Sequence, residues 1–207
     1  MMTIQIKHYC RILPGKATLN GKTVLKSAQK NVEMLDFLSE LYHKLGIDYR
    51  KFFKMDALSK AGFLASEMLL KESDREQVKE DTGIVLFNEN SSMENDMEYQ
   101  QTIQDQDNYF PSPAVFVYTL PNIVAGEIAI RNNIRGETAF YILPAFDAKK
   151  IEEIVTDTLN YSGMKQLLTG WVEVYDGHPD VCMMLCVTDE QIPITFNQHA
   201  LKVIYQQ

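Results

Sequence analysis

Between residues 139 and 188 the sequence switches between the two periods of regular structure, and this block limits the possible folds more than any other. Ala139 to Leu143 is a compact apolar run that reads as a strand. Asp147 then stands where a helix N-cap is wanted. Ile151, Ile154, Val155 and Leu159 recur at helical spacing through residues 148–161, and Gly163 ends the pattern. Gln166 to Tyr175 and Val181 to Thr188 read as two more strands, joined by a turn at Tyr175-Asp176-Gly177-His178. A strand, a helix and two further strands imply an α/β fold: a layered mixed sheet with flanking helices.

The rest of the chain extends this plan. Ile4, Ile6, Tyr9 and Ile12 suggest an opening strand, followed by turns at Pro14-Gly15 and Asn20-Gly21. Val32, Leu35, Leu38, Leu41, Tyr42 and Leu45 predict a helix over 31–45, closed by Gly46. A second helix is expected over 56–71, with Leu58, Gly62, Ala65 and Leu69 as a close-packing face. Thr82 to Phe87 reads as a short buried strand. Residues 88–108 are crowded with Glu89, Glu94, Asp96, Glu98, Asp105 and Asp107 and read as solvated surface, in part helical. Asn122 is a candidate cap for a helix running to Asn132, and Gly136 marks a turn. The tail, 192–205, is expected to add one strand. With 207 residues and no internal repeat, the whole chain, 1–207, reads as a single domain.

The formal net charge of −8 argues against nucleic acid and against an anionic membrane surface as partners. It also means that a small acidic carrier protein finds no attractive global field and needs a local basic patch to dock. The longest apolar run, Val181 to Val187, is too short to span a bilayer, and residues 1–11 show no signal-peptide core, so a cytoplasmic location is expected.

Three cysteines, Cys10, Cys182 and Cys186, imply no disulfide framework. Cys182 and Cys186 share one face of a strand and read as core, while Cys10 looks the least buried. The histidines His8, His43, His178 and His199 lack metal-ligand spacing. No phosphate-binding glycine motif and no nucleophile elbow of the Gly-x-Ser-x-Gly type is present. Neither a metal nor another cofactor is implied.

Three segments resemble the N-terminal half of the β-ketoacyl synthases, the thiolase-like condensing enzymes. The first is Lys54-Met55-Asp56-Ala57-Leu58-Ser59 with Ala61-Gly62-Phe63-Leu64-Ala65 after it. The second runs from Ser112-Pro113 through Thr119-Leu120-Pro121-Asn122 and Ala125-Gly126-Glu127-Ile128-Ala129-Ile130 to Arg135-Gly136. The third is Thr169-Gly170-Trp171-Val172-Glu173, similar to the Ala-Gly-Gly-x-Glu strand that follows the family's nucleophile helix. The resemblance implies one half of the thiolase-like fold, and its ungapped register sets Ala145 where the family has its nucleophilic cysteine. Pro144 and Phe146 flank it in place of small residues. The second half of the family fold, with its catalytic histidines, has no counterpart in this sequence.

A condensing enzyme needs a thiolate to hold the acyl chain and polarising groups for the malonyl carbonyl. By the resemblance this chain has neither, so no catalytic residue is assigned. The expectation is a non-catalytic, chain-length-factor-like subunit. Its partners would be a full-length ketosynthase or an acyl carrier protein, with a homodimer as a further arrangement. The pathway would make a fatty acid, a polyketide or an aryl polyene. The resemblance also puts the strand before the elbow at the dimer interface, with Phe140, Tyr141 and Leu143 as interface residues. An apolar face left bare by the missing half would be covered by an oligomer. Two alternatives remain from the sequence: an acyl or carrier-protein binding module, and a residual thioester-processing enzyme.

Overall fold

A computed structural model describes residues 3–29, 31–70, 75–107, 109–188 and 190–207. Seven strands form one mixed sheet in the order β3-β2-β1-β7-β6-β4-β5. They are β1 (Gln5–Leu13), β2 (Lys16–Leu19), β3 (Lys22–Lys26), β4 (Thr82–Asn88), β5 (Thr138–Ile142), β6 (Gln166–Tyr175) and β7 (His178–Val187). β4 runs parallel to both β5 and β6, and the other pairs are antiparallel.

Helices lie on both faces. On the first face α1 (Met34–Lys44), α2 (Ala57–Leu69) and α5 (Ile123–Asn132) cover Ile84, Leu86, Leu168, Val172, Val181, Met183 and Leu185. On the second face α6 (Ala148–Ser162) and α7 (Gln198–Tyr205) cover Val85, Phe87, Leu167, Trp171, Cys182, Met184 and Cys186. Because side chains alternate along a strand, the central strands supply both cores, which is why their runs are continuously apolar. Two further helices, α3 (Met93–Ile103) and α4 (Pro113–Val117), pack together in the connection between β4 and α5.

The expected strands and helices of 139–188 are present, most bounds within a residue; β7 starts three residues earlier than expected, at His178, which the sequence placed in the turn. Asp147 caps α6 by accepting from the Lys149 and Lys150 N–H groups. Asp56 caps α2 in the same way through Ser59 N–H; position 71, the expected end of that helix, lies outside the described residues, as does position 108. Asn122 precedes α5 but its side chain makes no capping hydrogen bond.

Two expectations need correction. The tail is chiefly a helix: Ile194 and Phe196 bond to the edge of β1's start, and then Asn197 caps α7, whose Leu201 and Ile204 enter the second core. Cys10 is fully buried rather than the least buried cysteine. A bulge between Ile6 and His8 shifts β1 by one residue, so Ile4 and Ile6 face the second core while Cys10 and Ile12 face the first.

The same bulge turns Arg11 toward α7.

Candidate functional site: the elbow after the edge strand

β5 is an edge strand, bonded to β4 on one side only. The N–H of Leu143 donates to the Asn88 carbonyl, at 2.8 Å. Residues of odd number therefore bond to β4, while Phe140 and Ile142 turn their N–H and C=O outward, unpaired within the sheet. The outer apolar surface of β5 consists of Ile142 (54 % exposed) and Tyr141 (38 %). Phe140 packs against the first core and Leu143 against the second, so their side chains are largely committed inward. Ile142 was not singled out from the sequence, since an apolar strand does not announce which of its residues will lack a neighbour.

Leu143, Pro144, Ala145 and Phe146 form the elbow between β5 and α6. Ala145 and Pro144 are exposed, and Phe146 points back to the molecule. Its ring stacks on Tyr205 of α7, with centroids 3.7 Å apart and planes 4° from parallel, and meets the edge of Trp171 at 5.9 Å. Tyr205 donates its hydroxyl to Asp180, and its other face carries the Arg11 guanidinium 4.7 Å from the ring centroid. Arg11 is buried and pairs with Asp180 at 2.9 Å. Tyr205's hydroxyl is pushed well above the ordinary phenol range by burial and by the Asp180 carboxylate.

These groups stand on one row across the sheet. Register partners run Tyr141–Phe87–Trp171–Cys182–Arg11 from β5 to β1. Tyr141 stacks on Phe87 at 5.5 Å, so the edge strand and α7 are joined by a chain of side-chain contacts beneath the elbow. Trp171 is 2 % exposed and fills the second core. Tyr205, Arg11 and Asp180 are the residues sequence reasoning missed; the one available signal was a tyrosine and a helical spacing in the tail.

An open cleft of about 630 Å³ lies over the elbow, lined mostly by the apolar parts of Leu143, Pro144, Phe146 and Tyr205, with Lys150 and Lys202 beside them. No cysteine or serine lines it. Asp147 is engaged as a helix cap, and Lys150 reaches Glu153 at 3.3 Å. All three cysteine side chains are buried. Burial pushes the Cys182 thiol up to about 12 and drives those of Cys10 and Cys186 upward as well, so all remain protonated and poor nucleophiles. The four histidines lie on separate elements, and among the described residues no three metal-ligating side chains gather.

Glu173, at the end of the third resembling segment, is buried and accepts from the N–H groups of Glu89 and Asn90 at 2.8 and 3.0 Å. It anchors the turn after β4 to β6. Burial raises its carboxyl above the ordinary value, and those backbone bonds oppose the rise. Two glycines permit close approach. A Cβ on Gly170, at φ +144°, would collide with the Cys182 carbonyl of β7, and one on Gly136 with the Thr82 carbonyl.

The outer face of α6 is mostly polar, with Tyr161 as its exposed aromatic. Its outer residues Lys149, Lys150, Glu153, Asp157 and Asn160 are exposed, and the lysines pair with Glu153. Exposed apolar side chains gather instead along 93–120, at Met93, Met97, Tyr109, Phe110, Phe116 and Leu120. The reading of 88–108 as exposed surface, in part helical, holds: α3 covers Met93–Ile103 and most of its side chains are exposed. Asn95 is buried and bonds the Val115 carbonyl, Ser92 bonds that of Thr119, and Glu94 accepts from Gly177 N–H.

The architecture is that of the thiolase-like ketosynthase fold. The chain is similar to the ishigamide ketosynthase/chain length factor (TM-score 0.65, 16% identity), matched over 93% of this chain and 64% of that one. It is similar to a chain in the complex of the ketosynthase ApeO with its chain length factor ApeC from Xenorhabdus doucetiae (TM-score 0.58, 14% identity), over 100% of this chain and 91% of that one. It is also similar to a chain of the AntDE:AntF complex, a type II polyketide synthase acyl-carrier protein with its ketosynthase (TM-score 0.59, 14% identity), over 98% and 65%. The chain thus spans slightly less than two thirds of the first of these structures. No family model matches the sequence, and no curated protein sequence matches it.

Proposed function

We propose that this chain is a non-catalytic, chain-length-factor-like subunit that pairs with an active ketosynthase in the cytoplasm and works on acyl chains held by an acyl carrier protein. One observation carries the reading: an open edge strand leads into an elbow that has Ala145 at its tip and the chain's own Tyr205 stacked behind it. An edge with outward N–H and C=O groups and apolar neighbours suits addition of a partner's strand. The exposed apolar side chains along 93–120, on the segment that follows β4, are a second surface that a partner would cover. The match to a chain of nearly equal length in a ketosynthase/chain length factor complex supports a partner of this size.

The test is a condensation assay with a ketosynthase of the same host, carrier protein and malonyl donor, with product lengths read by mass spectrometry. The expected result is no product from this chain alone and a changed length distribution when it joins the ketosynthase. Identical products with and without the chain, or condensation by the chain alone, would overturn the reading. The apolar cleft over the elbow favours a second reading, an acyl-binding module that acts without a ketosynthase; retention of a long-chain acyl ligand by the isolated chain would support it.

A further inference from the structure

A cavity of about 400 Å³ opens where the start of α2 faces α3. Its charged lining is Asp56 and Lys60 from the start of α2 and Glu94 and Glu98 from α3. Leu35 of α1, Leu58 of α2 and Val174 of β6 give it an apolar wall and bring no charge. It shares no lining residue with the cleft over the elbow.

Lys60 is half-buried there and, among the described residues, makes no hydrogen bond through its side chain and no ion pair. It stands in the first turn of α2, where its N–H donates to the Asp56 carbonyl at 2.9 Å. A cation in that turn faces the positive end of the helix dipole. Burial lowers its ammonium below the ordinary lysine value, against the pull of Asp56 and Glu98. Lys60 is therefore free amine, the nucleophilic form, more often than a lysine in water. Asp56 precedes it by four residues and caps α2 by accepting from Ser59 N–H at 3.0 Å. Burial raises the Asp56 carboxyl, and the bonds from Ser59 oppose the rise. Glu94 is engaged elsewhere, accepting from Gly177 N–H at 2.9 Å.

We propose that this cavity takes small uncharged aldehydes and that Lys60 binds them as an imine. An amine without a counterion, a carboxyl one helical turn away and an apolar wall are the groups that imine formation needs. Three carboxyl groups around the amine disfavour an anionic carbonyl compound. The Nζ lone pair forms the C–N bond while the carbonyl π pair moves to oxygen, and one proton passes from nitrogen to oxygen to give a carbinolamine. The nitrogen lone pair then closes the C=N bond as the C–O bond breaks, and the Asp56 carboxyl supplies the proton with which the hydroxyl leaves as water. The iminium N–H returns a proton to that carboxylate. Aldehyde and amine become imine and water, with no oxidant or reductant. The chemistry lies wholly within this chain, so it stands or falls apart from any pairing with a ketosynthase.

The probe is butanal with sodium cyanoborohydride, which fixes an imine as butyl-lysine. It is applied to the full chain at neutral pH and read by peptide mass spectrometry. Lys60 is expected to take the butyl group about tenfold faster than exposed Lys22 and Lys26, and the anionic aldehyde glyoxylate is expected to show no such preference. Asp56→Asn keeps a capping side chain but removes the proton donor, and should slow labelling of Lys60 about threefold or more while leaving Lys22 unchanged. Circular dichroism checks that its helices remain; should that variant unfold, the wild-type comparison of butanal with glyoxylate decides alone. Lys60→Arg should remove the fast site. Labelling of Lys60 no faster than of Lys22, an equal preference for glyoxylate, or a folded Asp56→Asn variant that labels at the full rate would each overturn the proposal.

Discussion

The ring of Tyr205 lies flat on the ring of Phe146, 3.7 Å between centroids, so the last helix of the chain seals the elbow from inside. Phe146 stands next to the position where the resemblance expects a nucleophile, and Trp171 closes its other flank. The volume between the elbow and the sheet is thereby filled with the chain's own aromatic carbon. The seal depends on Arg11 and Asp180, which bracket Tyr205 from β1 and β7.

Removing the seal is expected to cost stability rather than to create activity. Tyr205→Ala takes away the stack, the Asp180 bond and the cover over Arg11, and should destabilise the fold by about 2–4 kcal/mol. Tyr205→Phe keeps the stack and should cost about 1–2 kcal/mol. Urea unfolding of the two variants measures both, and equal losses would show that the ring contributes little.

Restoring a thiol is not expected to restore a synthase. Ala145→Cys would carry an exposed thiol that iodoacetamide alkylates, yet the cleft offers no polarising pair for a malonyl group. The expected outcome is labelling without condensation product. A carbon–carbon bond-forming activity in this variant would show that the elbow had kept its machinery.

The native cysteines should resist modification. Cys10, Cys182 and Cys186 are buried with thiols held protonated, so a thiol reagent at pH 8 should react with none of them in the folded chain and with all three after denaturation. Fast reaction of any one in the native state would contradict the packing of β1 against β7.

Glu173 gives a pH-dependent test. Its folded-state carboxyl is raised by burial above the ordinary 4.5, so the folded form holds the proton more tightly than the unfolded form does. The stability due to that bound proton is full below about pH 4.5 and is lost as pH rises through the window just above it. Glu173→Gln lacks this slope, and the melting temperature of wild type minus variant should fall across that window. Glu173→Ala leaves the N–H groups of Glu89 and Asn90 without an acceptor and should cost about 1–3 kcal/mol at any pH.

The strands and helices of 139–188 were legible because capping residues and unbroken apolar runs are local signals. Asp147 and Gly163 bound α6 in the structure as their positions suggested. The tail was misread because Leu201 and Ile204 give only one turn of helical spacing, and the cap at Asn197 is weak evidence alone. The bulge at Ile6 and His8 left no sequence mark, yet it decides that Cys10 is buried under α2 and that Arg11 meets Tyr205. Ala145 and its neighbours were found by resemblance. The seal behind them was not, because it joins residues about sixty apart in the chain, and Arg11 comes from the other end of the sequence.

The central claim is that β5 adds to a partner's strand, and the most direct measurement is size-exclusion chromatography with light scattering after co-expression with a ketosynthase of the same host. Two variants sharpen it. Tyr141→Lys charges the edge, and Ile142→Pro removes an outward N–H while leaving the bonds to β4 in place. The account predicts a stoichiometric complex with the wild type, and its loss with either variant while the variant itself stays folded. A wild-type chain that elutes alone beside every ketosynthase of its host, or a complex untouched by both substitutions, would contradict it.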